Sequence, residues 1–594
     1  MSSRRWPGLV TESCLRLPQT TAALRQRCTR GLTLSRRRRQ QQLQFSSTSS
    51  RDDKQVAVIG GGITGLATAF HLAQQRTTQV TLYEKSRQLG GWMQSETVDT
   101  GDGKVVFEYG PRTLRYQMPD VMPVVELLAQ LDLLKSTLRT NSGTAAAVNR
   151  YIYYPDHIIQ VPAPQPGSST LSFIRRILSQ WNEPAYKGLL SGFLGEPFRE
   201  LRDPKMRDES IADFTTRRFG KPLTDNFVSA LFHGIYAGDI DRLSAKATMP
   251  YFWSCELGEH GVLMEIMDRT TSGKMSLHRY SKLKAIKDIR RDYSGEFNSK
   301  LPLLFAGSNM LSLNDGLHSL VSAMDRHLSE LPNVKITREA AISHIQYDRA
   351  KQSMILTEGS NMPPVRYDYV VSTTASRVLA DQLRGPGECT PPTATSRMLA
   401  ANNYAVSVMV VNLFYSDPDL IPVQGFGYLI PRSVPIEQNP ERALGVIFMS
   451  QAIVGQDTAK GTKLAVMIGG HWWDGWSRSD LPDEQEGIAM AKSVLARHLG
   501  ITQEPAIARA RLQHNAIPQY TVGHHDRMEE LHESLSREYD SRLKVVGAWY
   551  TGVGVNDCVT AGRALAAAIR DGSHEETGLE DYVNPMKELT AAMV

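Results

Sequence analysis

Residues 56–92 read VAVIGGGITGLATAFHLAQQRTTQVTLYEKSRQLGGW. The opening VAVIG closes a short apolar strand of the kind a parallel sheet buries on both faces. Gly60, Gly62 and Gly65 follow as G-x-G-x-x-G, and the spacing predicts a helix beyond them, with Leu66, Ala69, Phe70 and Ala73 on one face. A second strand, QVTLYE, ends at Glu84, nineteen residues past Gly65. A lone G-x-G-x-x-G is a weak signal. With strand, helix, second strand and terminal acid in register, it predicts a dinucleotide-binding fold rather than a glycine turn in an unrelated α/β unit. Gly60 permits the tight turn, Gly62 lets backbone approach a pyrophosphate, and Gly65 lets the helix press on the strand. The helix N-terminus offers free N–H groups to phosphate. Glu84 can accept hydrogen bonds from ribose hydroxyls and would repel a 2′-phosphate.

A second glycine turn lies near the other end, in LKVVGAWYTGVGVNDCVTAGRALAAAI, residues 543–569. An apolar strand reaches Gly547, and a small-residue helix is predicted from near Asp557. Gly562, Ala566 and Ala567 suit a helix pressed against other backbone. On pattern alone this is equally well one more βα unit.

With 594 residues the chain is too long for one core, and two or more domains are expected. The longest apolar run, residues 404–415, is too short for a bilayer span and carries Ser407 and Asn412. The five cysteines include no C-x-x-C pair, which argues against a disulfide scaffold, a zinc site or a dithiol relay; no metal is expected. Residues 1–51 hold eleven Arg, no Lys and one acid, Glu12, the composition of a mitochondrial transit peptide; a basic nucleic-acid-binding tail is the alternative. That leader carries a net +10 of the chain's +5, so the remainder is near −5 and has no general attraction for nucleic acid.

Seven segments carry a resemblance: GGGITGLATAFHL, LGGW, EYGPRTLR, HGIYAGDIDRLS, PVQGFGYLIP, AIPQYTVGH and GVGVNDCVTAGR, in order from Gly60 to Arg563. The first two are common to FAD-dependent amine oxidases and desaturases. HGIYAGD, IPQYTVGH and GVGVNDC are more specific, and on them the chain resembles the protoporphyrinogen oxidase family. The resemblance implies FAD as cofactor and a six-electron oxidation of protoporphyrinogen IX to protoporphyrin IX, with dioxygen reduced to hydrogen peroxide, the penultimate step of haem synthesis. The residues agree in part. There is one dinucleotide fingerprint and no cysteine pair, so electrons would pass from substrate to flavin and then to a small acceptor. Rival readings are another FAD amine oxidase or desaturase of this fold, and a non-catalytic escort-type protein built on it.

The resemblance also implies site residues. Flavin contacts fall on Gly60, Gly61, Gly62, Ile63, Thr64, Gly65, Glu84, Lys85, Arg87, Gly91, Trp92, Gly110, Pro111, Arg112, Thr113, Ile342, Ala548, Val553, Gly554 and Val555. Arg112 and Gly234 are the catalytic-site residues. Arg112, Arg150, Gly234, Leu429, Ile447 and Met467 bind substrate, with Arg150 near a propionate, which a two-pronged guanidinium suits. Read without the resemblance, the arginines are equally surface ion-pair residues, and Leu429, Ile447 and Met467 are ordinary core. His514, His524 and His525 are read as structural, and no general base is nominated.

The expected fold class is α/β plus α+β. A split Rossmann-like FAD-binding domain takes residues 53–141, 307–385 and 543–572. An antiparallel-sheet substrate domain takes 142–160 and 397–542, a helical membrane-facing domain 161–306, and a C-terminal tail 573–594. In LSFIRRILSQW, Leu171, Ile174, Leu178 and Trp181 share one face, which fits helix packing or a membrane interface. The resemblance implies peripheral attachment to the inner mitochondrial membrane on its intermembrane-space side. Implied partners are protoporphyrinogen IX, dioxygen, that membrane surface, ferrochelatase and a second copy of the chain; no nucleic acid is expected.

Overall fold

The computed structural model describes residues 53–162, 182–258, 261–272, 277–293, 303–359, 362–384, 391–584 and 586–588, with residues 175, 179, 180, 295 and 300. The leader read as a transit peptide and the apolar face of LSFIRRILSQW lie outside the described residues.

Five parallel strands form the nucleotide sheet: β1 (Lys54–Ile59), β2 (Thr78–Tyr83), β3 (Val334–Thr337), β4 (Tyr369–Ser372) and β5 (Leu543–Val545). Their spatial order is β3-β2-β1-β4-β5. Chain direction across the sheet reverses between β1 and β4, and such a switch point opens a crevice at the carboxyl ends of the strands. Val56, Ala57, Val58 and Ile59 are all buried, because helices cover both faces.

Helix α1 (Ile63–Ala73) follows β1, and α2 (Val555–Arg570) follows β5. The two approach closely because glycine sits where they meet: a Cβ on Gly562 would lie 2.8 Å from Thr68 Oγ1, and one on Gly547 3.0 Å from Thr64 Oγ1. Behind them, the buried Arg563 guanidinium reaches His71 Nδ1 at 2.9 Å, Glu126 Oε1 at 3.2 Å and Asp292 Oδ2 at 3.3 Å. That cluster ties α1 and α2 to helices Met122–Gln130 and Tyr280–Asp292. Between β3 and β4 the chain makes a three-stranded antiparallel meander from Ile342 to Tyr367.

The second large sheet has seven strands, in the order Ile507–Pro518, Ala405–Tyr415, Thr462–Gly469, Ala443–Phe448, Gly427–Leu429, Arg150–Tyr153 and Ile158–Val161. The apolar run at residues 404–415 is therefore a buried central strand. An all-antiparallel sheet was expected, but one pairing is parallel: Tyr428 stands opposite Tyr151 and Leu429 opposite Ile152. The strand at 150–153 enters from a segment almost three hundred residues upstream, so no hairpin dictates its direction. One face of the sheet packs on helix Glu484–Leu499 through Tyr428, Val446, Phe448, Val466 and Ile468. The described residues between 182 and 292 are mainly helical, and include a short strand at Leu277–His278. Among the described residues no helix is long and apolar enough to cross a membrane.

Candidate active site

The glycine turn has the geometry that its spacing requires. Gly60 adopts φ +106°, a region open to glycine, and an added Cβ there would meet Thr373 Oγ1 at 2.6 Å. A Cβ on Gly65 would stand 1.8 Å from the Gly60 carbonyl oxygen, so only glycine lets α1 press on the turn. Around Gly62, by contrast, an added Cβ meets nothing within 4 Å, and backbone faces open space. The Gly61 amide donates to Glu84 Oε2 at 2.7 Å, while Glu84 Oε1 accepts from the Ser86 amide. The LGGW segment docks on this turn: the Gly90 amide donates to the Gly61 carbonyl at 2.8 Å, and Gly91 lies against Gly62. Lys85, Arg87 and Trp92 are exposed along the segment that makes this contact.

Helices α1 and α2 are capped by Gly62 and Gly554, and neither has a side-chain cap. Their first-turn amides are thus left for an outside acceptor, with positive dipole ends favouring anionic groups. Ile63 and Thr64 open α1; Val553 and Val555 flank the α2 cap, and the Ala548 carbonyl accepts from Tyr520 Oη at 2.6 Å. Ile342 is buried in the core cluster that includes Ile59, Tyr83 and Ala340. Two uncapped helix starts beside an open glycine backbone fit a dinucleotide cofactor, with Gly60, Gly61, Gly62, Ile63 and Thr64 at one end and Gly554 and Val555 at the other.

Arg112 carries the second half of the site. It follows Gly110, whose added Cβ would strike the Trp92 carbonyl at 1.9 Å, and Pro111; with Thr113 these residues are half-buried. Its Nη1 lies 3.5 Å from Met467 Sδ. Its Nε and Nη2 are shut off from solvent and have no partner among the described residues, which a folded protein tolerates where a ligand satisfies them. Burial lowers the guanidinium to about 10, resisted by the charge of Glu108, so it stays cationic at neutral pH. Glu108 itself is fully buried and accepts from Ser95 Oγ at 2.6 Å and the Leu317 amide at 2.7 Å. Burial drives its carboxyl up to about 7, against the pull of those donors and of Arg112 and Lys463.

Arg112 meets the open face of the seven-stranded sheet. Leu429 pairs with Gly445, Gly445 with Met467, and Gly427 with Ile447. Residues opposite one another share a face, so Leu429, Ile447 and Met467 point the same way. Each is the one residue of its strand that is not fully buried. Continuing the parallel register brings Arg150 onto the same face at its edge. Arg150 Nη1 donates to the Ala146 and Asn149 carbonyls, and the guanidinium lies 4.7 Å from the Phe426 ring centre. Its neighbour Ala146 borders a cavity of about 510 Å³ with Arg139, Gln424 and Gln451, whose lining does not include Arg112 or Met467. Gly234, on helix Ser229–Tyr236, is exposed and lies close to Leu429: an added Cβ would stand 2.9 Å from Leu429 Cδ2 and would force that side chain to shift.

The fold thus brings Gly234 against Leu429 and Arg112 against Met467, and places Leu429, Ile447, Met467 and Arg150 on one sheet face by register. Sequence reasoning passed over Glu108 as a perturbed acid, although it stands in EYGPR. It also passed over the His233–His471 pair. His524 is buried, stacks on Tyr520 and approaches Tyr582 Oη at 3.1 Å, while His514 is exposed.

A family model described as flavin containing amine oxidoreductase matches residues 63–570. The chain is 32% identical over 515 residues to a protein named protoporphyrinogen oxidase from Schizosaccharomyces pombe, covering 86% of this chain and 97% of that one. It is 29% identical over 524 residues to the Homo sapiens protein of that name, covering 87% and 98%. A crystal structure of an Exiguobacterium sp. 255-15 protein shares the fold at TM-score 0.64 and 21% identity, over 89% of this chain and all of that one. With the uncapped helix pair, the open glycine backbone and a family match over most of its length, the chain belongs to the flavin-containing amine oxidoreductase family.

Proposed function

We propose that this chain is an FAD-dependent protoporphyrinogen oxidase. It removes six electrons and six protons from protoporphyrinogen IX and delivers them to three dioxygen molecules, giving protoporphyrin IX and three hydrogen peroxide. The observation that carries the reading is a set of incompletely buried apolar residues on one sheet face, beside Arg112. Leu429, Ile447 and Met467 are each the single incompletely buried residue of their strand, and Arg112 closes against Met467. An apolar slot with few polar anchors suits a large, mostly apolar tetrapyrrole that carries two carboxylates. The names of the two relatives point the same way.

Bound FAD supplies the two-electron acceptor and passes the electrons on to dioxygen. The protein's part is binding, orientation and electrostatics. The α1 start and the Gly62 backbone would hold the pyrophosphate, and Glu84 would accept from ribose. The α2 start at Gly554 offers positive dipole and N–H groups where negative charge collects. Arg112 Nε and Nη2 supply charge-assisted donors, and the sheet face keeps water from the slot.

We further read the protein as attached to the intermembrane-space face of the inner mitochondrial membrane, reached through the Arg-rich leader. Supporting the attachment, the helical region exposes large apolar side chains: Phe198 is 89% exposed, Leu257 74% and Leu194 64%. The test of the activity is porphyrin fluorescence from protoporphyrinogen in air, with peroxide counted alongside. A yellow protein forming three peroxides per porphyrin is expected. A preparation that stays colourless after reconstitution with FAD, or that forms no porphyrin, overturns the proposal.

A further inference from the structure

Gly234 lies close to Leu429 where helix Ser229–Tyr236 packs on the sheet; the Arg432 amide donates to Ser229 Oγ at 3.1 Å at the helix start, and two histidines bridge helix and sheet beside Gly234. His233 precedes Gly234, and its Nδ1 lies 2.7 Å from the carbonyl oxygen of Ile430, the residue after Leu429. A carbonyl can only accept, so His233 Nδ1 carries the hydrogen. Its Nε2 is 3.0 Å from His471 Nε2. In a neutral imidazole protonated at Nδ1, Nε2 is an acceptor, so His471 is the donor and carries its hydrogen on Nε2. The second ring is fixed in turn. It stands 4.2 Å from the Trp472 ring, and the His471 amide donates to the Ala237 carbonyl at 2.8 Å. His471 lies four residues past Met467, beyond two glycines with φ +100° and +66°. A Cβ on Gly470 would meet the Ala237 carbonyl at 2.3 Å, so this turn abuts the end of the helix.

Both rings are neutral. Burial lowers His233 to about 3, helped by His471 and Arg432 and opposed by the Ile430 carbonyl and Asp239. Burial lowers His471 to about 4, helped by Arg432, Arg242 and Arg442 and opposed by Asp241. The bridge therefore keeps one direction of donation across the neutral range: His471 to His233, and His233 to Ile430.

We propose that His233 and His471 are positioning residues: a bridge with fixed tautomers that sets the spacing between Gly234 and Leu429, and with it the width of the porphyrinogen slot. The inference rests on the reading of that face as the substrate slot. The bridge ends on a residue next to Leu429 and starts beyond Met467, so it links both slot residues to the helix that carries Gly234.

The test compares two variants of the full-length holoenzyme. His471→Phe keeps a ring but removes the donor; His471→Gln keeps an N–H near the Nε2 position. Loss of positioning is expected to raise KM for protoporphyrinogen about tenfold in His471→Phe with kcat changed by less than about twofold, and His471→Gln is expected to restore KM to within about twofold. FAD content stays at the wild-type level in both. In ¹⁵N-histidine NMR of the wild-type holoenzyme, His233 reads as the Nδ1–H tautomer and His471 as Nε2–H from pH 6 to 8. A wild-type KM in His471→Phe overturns the proposal, as does glutamine faring no better than phenylalanine, loss of FAD in both variants, or reversed tautomers. A wild-type enzyme that shows these tautomers and forms no porphyrin fails on the slot reading instead.

Discussion

A Cβ placed on Gly65 would lie 1.8 Å from the carbonyl oxygen of Gly60. The obstacle is backbone, so nothing flexible can yield, and Gly65→Ala must move α1 away from β1. The expected cost is about 1–3 kcal/mol, the usual penalty for overpacking a tight core. Gly62→Ala is the contrast, because its Cβ meets no protein atom within 4 Å and Gly62 has an ordinary extended backbone. We expect Gly65→Ala to lower the apoprotein melting temperature and to lose FAD. Gly62→Ala keeps the apoprotein melting temperature and loses FAD alone. Thermal scans of apoprotein, with the visible flavin absorbance of the reconstituted protein, separate the two; equal destabilisation would contradict the fit of cofactor against Gly62.

Arg112 holds two buried nitrogens without partners among the described residues. Removing such a cation forfeits little stability, since no internal hydrogen bond to a protein oxygen is broken. It does remove donors that a bound group would use. Arg112→Ala is expected to lose roughly 10- to 100-fold in kcat/KM, as for a charge-assisted bond of about 1.5–3 kcal/mol, with an unchanged denaturation midpoint of the apoprotein. A lowered midpoint matching the activity loss would mark Arg112 as structural.

Three carboxyls, the fully buried Glu108 and Glu126 and the partly exposed Glu580, are each raised by burial to about 7 from an ordinary 4.5. Raised acids hold protons in the folded state that the unfolded chain has released. Their stability contribution is complete below pH 4.5 and is lost as pH rises to 7. Each contributes a slope of up to about 1.4 kcal/mol per pH unit inside that window. Buried histidines with lowered pKa values, His233, His471 and His498 among them, act in the opposite sense below their ordinary 6.5, so the acids are read as a difference between variants. In urea titrations at steps between pH 5 and 7, Glu126→Gln, which keeps the shape beside Arg563, is expected to make the slope of stability against pH more positive than wild type by up to about one proton. An unaltered slope in that variant rejects the assignment for Glu126.

The exposed apolar side chains of the helical region predict surface binding to lipid. Leu194→Asp with Phe198→Asp should abolish co-flotation of the protein with vesicles of inner-membrane lipid composition, leaving FAD content and activity in detergent intact. Persistent flotation of the double variant would place the membrane contact elsewhere.

Much of the nucleotide half was legible because its constraints are local. Within forty residues, strand, turn and helix impose steric demands that only glycine meets at Gly60 and Gly65, and Glu84 lies one hydrogen bond from Gly61. The substrate half was legible only as apolar runs. In FGYLI, LGVIFM and LAVMIGG nothing distinguishes Leu429, Ile447 or Met467 from their buried neighbours; the resemblance singled them out. Glu108 could be seen as an acid beside Arg112, but its raised pKa comes from burial that no spacing reveals. The one parallel strand pair escaped for a related reason: the partners lie almost three hundred residues apart.

The sequence by itself determined that this chain builds a glycine-turn dinucleotide fold, because backbone sterics act between residues a few positions apart. The tertiary structure alone decided which face of the seven-stranded sheet opens, that Arg112 closes on Met467, and which ring nitrogens of His233 and His471 carry hydrogen. Register, burial and tautomer depend on atoms brought together from distant parts of the chain, and their energies exist only once the chain has folded.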